Sequence, residues 1–273
     1  MKRLFAYNPT LSQAWGLVAL TILIQLVSGL VVVPFIPADG ATQSWHLLLS
    51  YVLCFVIMIF IVMKMGETEY LSPVPAQGGG AKLPPLGGGS GWGLLLFFIP
   101  ALAIVIEPLY MWIPMPEQIK QLFETAFKND MPTFLSVVVA APFAEEWLCR
   151  GVILKGLLRH YSPRKAIIWS AILFGVLHIN PWQAIPAFCI ALAIGWVYWR
   201  TRSLWPCIFM HAVNNSIAFL MLHLFPDAAS DATTLDVAGA YYGLVYAAAL
   251  LCCAFTGYGL WWMSRKNYLA PNR

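Results

Sequence analysis

The sequence predicts an all-α, polytopic membrane helix bundle, and three observations carry that prediction. Of 273 residues, 60% are hydrophobic and 10% charged, against about 25% charged in an ordinary soluble domain. The apolar residues come in long runs, near the ~20 residues that cross a ~30 Å hydrocarbon layer as a helix. A membrane β-barrel would instead show short alternating segments. Finally, the basic residues gather in alternate loops between the runs, and so on one side of the membrane, as the positive-inside rule requires.

Taken in order, the runs predict eight membrane helices, at 15–36, 45–63, 92–113, 132–154, 166–179, 184–199, 204–225 and 238–263. Lys2 and Arg3 precede the first run. That run exceeds the roughly 7–15 residues of a signal-peptide core, so it reads as a retained helix. Tryptophan opens or closes many of the runs, as an interfacial belt does. The segment 116–129 sets Ile119, Leu122, Phe123 and Ala126 among charges, a spacing that suits an amphipathic helix on the outer surface. The fifth and sixth runs are short, and the turn between them holds Asn180, Pro181 and Gln183. The Pro/Gly-rich stretch 72–91 cannot build a core and reads as a cytoplasmic linker. The chain is therefore a single membrane domain: three N-terminal helices within 1–113, a polar-motif core at 130–225 and a last helix at 238–263.

Placing both termini in the cytoplasm puts thirteen of the sixteen basic residues on that side: Lys2, Arg3, Lys64, Lys82, Lys155, Arg159, Arg164, Lys165, Arg200, Arg202, Arg265, Lys266 and Arg273. The net charge of +4 is dispersed rather than gathered in a patch, which argues against a nucleic-acid partner. The partners implied are the lipid bilayer and a membrane-associated substrate. None of the six cysteines forms a C-x-x-C pair, so they read as packing residues.

Chemistry concentrates in three clusters inside apolar runs: Glu145-Glu146-x-x-x-Arg150, Phe174-x-x-x-His178 and His211-x-x-x-Asn215. A charged side chain at mid-bilayer costs at least about 2.5–3.5 kcal/mol, so these groups belong in a shared polar site within the bundle. Arg150 lies one turn after Glu146 and can neutralise it, while Glu145 points about 100° away and stays chemically available. Counted from the cytoplasmic helix ends, Glu145 lies roughly 15 Å deep, His178 roughly 18 Å, His211 roughly 10 Å and Asn215 roughly 16 Å. The four can meet in one layer. Glu107, beside Pro108, lies near the opposite interface and reads as structural.

A buried carboxylate, two imidazoles and an amide suit hydrolysis, with the carboxylate as base for water and the other groups as hydrogen-bond donors. No G-x-S-x-G nucleophile motif is present, and Cys149 has no obvious activating partner. The competing chemistry is zinc held by Glu145, His178 and His211, assembled from three helices because the helical H-E-x-x-H form is absent.

In order, interval and placement on helices, the three clusters resemble the motifs of the CaaX-protease and bacteriocin-processing (CPBP, or Abi) family of membrane proteins. The resemblance covers about residues 130–225. It implies an eight-helix, glutamate-dependent intramembrane endopeptidase without a cofactor. By it, Glu145 activates water, His178 assists, His211 and Asn215 form the oxyanion hole, and Glu146, Arg150 and Phe174 support the site. The family's eukaryotic enzymes remove the last three residues of prenylated CaaX proteins. Other members serve in bacteriocin maturation or self-immunity, or as scaffolds. The compact chain looks like a bacterial inner-membrane member, and the intact motif favours an enzyme over a non-catalytic scaffold.

Overall fold

The structure, a computed structural model, describes residues 7–35, 43–69, 89–225 and 233–266. Residues 72–88 of the predicted linker lie outside the described residues, as do Ile36, Lys2, Arg3, Lys82 and Arg273. All regular structure among the described residues is helical. In chain order the helices are α1 (Leu11–Val32), α2 (Gln43–Glu69), α3 (Gly89–Ile106) and α4 (Glu117–Ala126), then a long broken helix α5 over residues 131–160. They continue as α6 (Pro163–Leu177), α7 (Pro181–Thr201), α8 (Trp205–Leu224), α9 (Thr234–Ala238) and α10 (Tyr242–Lys266).

Among the described residues, five segments are long and apolar enough to cross a membrane: Leu11–Phe35, Gln43–Gly66, Ser90–Leu109, Pro181–Thr201 and Thr234–Arg265. This is an integral membrane protein. The other three predicted segments coincide with α5, α6 and α8, which are also the helices that carry the polar motifs. Glu145, Glu146 and Arg150 lower the apolarity of α5. With 15 residues, α6 is only about 22 Å long. The sequence also placed the start of α7 too late. Asn180 caps that helix through the Gln183 N–H at 2.9 Å, and Pro181 occupies its first turn. Proline there costs nothing, because the first N–H groups of a helix have no internal partner. The predicted 16-residue segment is thus a 21-residue helix.

Packing places the motif helices at the centre. α1 pairs with α2, α3 with α10, and α6 with α7, while α8 packs against α3, α5 and α7. Leu148, Ile153, Leu154, Leu173, Ile194 and Met210 are wholly buried among these elements. Gly175 lets α6 approach α7, since a Cβ there would sit 3.0 Å from the Ala184 carbonyl oxygen. The lone amphipathic helix α4 packs against α2, with Ala126 buried and Leu122 exposed.

Two stretches of α5, Leu135–Ala140 and Trp147–Leu154, wind as π-helix. The first has a local cause. Pro142 carries no N–H, and the Ala141 N–H reaches back five residues to the Ser136 carbonyl. The Val137 carbonyl, whose donor in that register would be residue 142, is left without one inside the helix. Wider turns of this kind are common at functional sites, because they re-aim side chains and free backbone groups.

Candidate active site

Asp130 starts α5 by accepting the Thr133 N–H at 3.0 Å, with Pro132 in the first turn. The helix then carries Glu145 and Glu146 into the middle of the bundle. Arg150 Nη1 donates to Glu146 Oε1 at 2.8 Å across one turn, and both side chains are almost wholly buried. Arg150 Nη2 also donates to the Ala191 carbonyl at 3.3 Å, which ties α5 to α7. The guanidinium lies over the Phe174 ring, 4.7 Å from its centroid. This cation–π contact brings α6 into the same cluster.

From α8, His211 Nδ1 lies 2.9 Å from the same Glu146 Oε1. A carboxylate paired with a permanently charged guanidinium only accepts, so His211 carries a proton on Nδ1 and donates it there. Its Nε2 faces Glu145 Oε2 at 3.9 Å, too far for a direct hydrogen bond. Among the described residues Glu145 Oε2 has no hydrogen-bond partner, and it is buried. The other oxygen of Glu145 accepts the Tyr51 hydroxyl of α2 at 2.9 Å.

His178 ends α6 and turns its Nδ1 onto the Phe174 carbonyl at 2.9 Å. A carbonyl only accepts, so this bond too places the proton on Nδ1 and leaves Nε2 open. The link between His178 and His211 is Phe174, whose ring stands edge-on to both, at centroid distances of 5.1 Å and 5.7 Å. The backbone after His178 is held tightly. Ile179 has φ of +63°, a conformation that a β-branched residue rarely adopts. Asn180 Nδ2 donates to the His178 carbonyl at 2.8 Å.

Asn215, one turn beyond His211, donates from Nδ2 to the Val137 carbonyl at 2.8 Å. That is the carbonyl left without a helical donor by Pro142. The Asn215 carbonyl oxygen in turn accepts the Asn214 amide at 3.2 Å. One of the two N–H groups of Asn215 is therefore committed to bracing α5.

The three motifs thus form one connected set of contacts: Arg150 to Glu146, Glu146 to His211, His211 facing Glu145, and Phe174 joining His178 to His211. Residues 127–217 match the model of a family described as type II CAAX prenyl endopeptidase Rce1-like. The chain carries an Rce1-like segment. That family is one of CAAX-type membrane proteases. No curated protein and no solved structure matches the chain. The Rce1-like segment begins just before α5 and ends within α8, so it contains every motif residue and excludes α1 to α4. Tyr51 is outside it and was missed in the sequence, although a tyrosine inside a membrane run and away from its ends was a usable signal. Among the described residues, no three His, Cys, Asp or Glu side chains are grouped to hold a metal ion.

Glu107 lies apart from this cluster. It is buried, and its Oε1 accepts the Thr234 N–H at 2.6 Å at the start of α9. A carboxylate at that position satisfies a backbone donor, consistent with the structural role read from the sequence.

Proposed function

We propose that this protein is an intramembrane endopeptidase that uses a glutamate-activated water to cleave a membrane-associated peptide or protein. Both termini lie in the cytoplasm in this reading. The observation that carries it is the pair of facing atoms Glu145 Oε2 and His211 Nε2, 3.9 Å apart. An atom about 2.8 Å from both fits between them in hydrogen-bonding geometry. Glu145 is the one member of the acid pair whose charge is not committed to Arg150.

In this mechanism a water donates to Glu145 Oε2 and attacks the scissile carbonyl as Glu145 takes its proton. The oxygen of the tetrahedral intermediate carries the negative charge. His211 in its imidazolium form donates to that oxygen from Nε2, while its Nδ1–H stays on Glu146. The remaining N–H of Asn215 is available for the same purpose. Protonated Glu145 then passes its proton to the leaving amine, the C–N bond breaks, and the carboxylate is restored. His178 holds the attacking water through its open Nε2. The chain's own residues supply every proton transfer, and no cofactor enters.

The Rce1-like segment supports a prenylated CaaX peptide as the first substrate to test. The test compares wild type with Glu145→Gln in proteoliposomes carrying an internally quenched farnesylated CaaX peptide. Proteomics of membrane fractions from cells expressing each form accompanies it. Cleavage by wild type and none by a folded Glu145→Gln is expected. Equal cleavage by both, or no membrane protein whose processing depends on Glu145, would overturn the reading in favour of a non-catalytic scaffold.

A further inference from the structure

We propose that Tyr51 is a positioning residue for Glu145, so that α2, outside the Rce1-like segment, completes the active site. The inference rests on the reading of Glu145 as the base. A tyrosine hydroxyl facing a carboxylate donates, and here it donates to Oε1 at 2.9 Å. The two oxygens of Glu145 are thereby made unequal. Oε1 is occupied, while Oε2 is buried, unpartnered and turned toward His211 Nε2. The terminal torsion of a glutamate is soft, so without a fixed donor the carboxylate plane turns freely. Tyr51 removes that freedom and leaves the productive oxygen aimed at the water.

Tyr51 is itself held. Its ring packs against Phe55, one turn along α2, at 4.8 Å between centroids, and Phe55 is buried in the core. The hydroxyl therefore reaches Glu145 from a ring whose position is set by packing. It also gives the half-buried carboxylate one of the hydrogen bonds that burial demands. The adjacent acid takes its donors elsewhere, from Arg150 and His211, both on Oε1. The two glutamates thus receive different donors from different helices: Glu146 from α5 and α8, Glu145 from α2.

The test is Tyr51→Phe, which keeps the ring and its contact with Phe55. Thermal stability of the purified protein is expected to stay near wild type. With the quenched farnesylated CaaX peptide, kcat is expected to fall about 10- to 100-fold, the range for a hydrogen bond to a charged group, with KM unchanged. A second readout needs no turnover. The infrared difference between wild type and Tyr51→Phe is expected to contain a carboxylate stretching band. The same difference taken in a Glu145→Gln background is expected to lack it. A Glu145→Gln protein with full activity would overturn the proteolytic reading itself. An inactive Glu145→Gln beside a fully active Tyr51→Phe would overturn this inference alone. Absence of the carboxylate band overturns it whether or not the peptide is cleaved.

Discussion

Asn215 closes the one carbonyl that Pro142 opens. The amide of Asn215 on α8 donates at 2.8 Å to Val137 on α5, where the missing proline N–H leaves the helix without a donor. The last motif of the chain is thereby coupled to the first through a backbone defect. This gives Asn215 a structural duty in addition to any duty at the reaction centre. Asn215→Ala is expected to cost about 1–3 kcal/mol, the cost of an unsatisfied buried polar group. Pro142→Ala restores a donor to Val137, so the same substitution made in that background is expected to cost measurably less. Thermal or chemical unfolding of the four proteins checks this. A cost of Asn215→Ala that does not change with residue 142 would refute the coupling.

The pair Glu146–Arg150 is expected to be a stability element. Arg150→Met strands a buried carboxylate, and breaking a buried pair costs about 3–5 kcal/mol. Glu145→Gln leaves the hydroxyl of Tyr51 an amide oxygen to donate to and is expected to unfold near the wild-type point. Unfolding curves of the two variants in the same detergent separate the acids. Equal loss of stability in both would show that the two glutamates share one role.

How much of this was legible beforehand follows from the range of each interaction. The Glu146–Arg150 contact is one helical turn long, and the i, i+4 spacing predicts it directly. The membrane helices were legible because apolar length is a local property. The Asn215–Val137 contact was not, since it depends on which helices pack together and on a π-turn that no spacing rule supplies. Tyr51 was missed for a related reason. It lies 94 positions before Glu145, in a run read as plain membrane anchor. The start of α7 was misplaced because Pro181 was taken to mark a turn, whereas Asn180 caps a helix that the proline begins.

Close approach of α6 and α7 is expected to be needed for activity. Gly175 follows Phe174 directly, and an added methyl would lie 3.0 Å from the rigid Ala184 carbonyl. Gly175→Ala therefore pushes the helices apart and carries with it the ring that packs against both His178 and His211. A stability loss of about 1–3 kcal/mol is expected from such overpacking, together with reduced cleavage of the quenched peptide. Gly93, where a Cβ meets open space, is the control. Gly93→Ala is expected to leave both quantities unchanged.

The cap at the start of α5 is expected to make stability depend on pH. Burial opposes the charge of Asp130, while the nearby Ser44 hydroxyl, the Thr133 groups and Lys128 favour it more strongly. Ser44 faces the carboxylate without completing a well-formed bond, whereas the Thr133 N–H does complete one. The carboxyl is thus held below its usual range. A group depressed on folding contributes stability that is complete above its unfolded value, about 3.9. That contribution is lost as pH falls through the lower folded value. Asp130→Asn is expected to be less stable than wild type near neutral pH, with the gap closing in the acid range. A gap that does not vary with pH would assign the effect to packing.

Hydrolysis is expected to proceed without a bound metal. A zinc ion shared by Glu145, His178 and His211 would require donors within about 2.0–2.2 Å of a common point. The two histidines instead approach through the edges of Phe174, at centroid distances of 5.1 Å and 5.7 Å. His211 also has its Nδ1 committed to Glu146, which leaves one nitrogen for any ligand. Purified protein is expected to keep its activity after dialysis against a strong chelator, and added zinc is expected to inhibit by occupying the open Nε2 of His178. Activity lost to chelation and restored by one equivalent of zinc per chain would overturn the metal-free mechanism. Phe174→Leu is the companion measurement, because it removes the ring that packs against both histidines while leaving every polar group of the site in place.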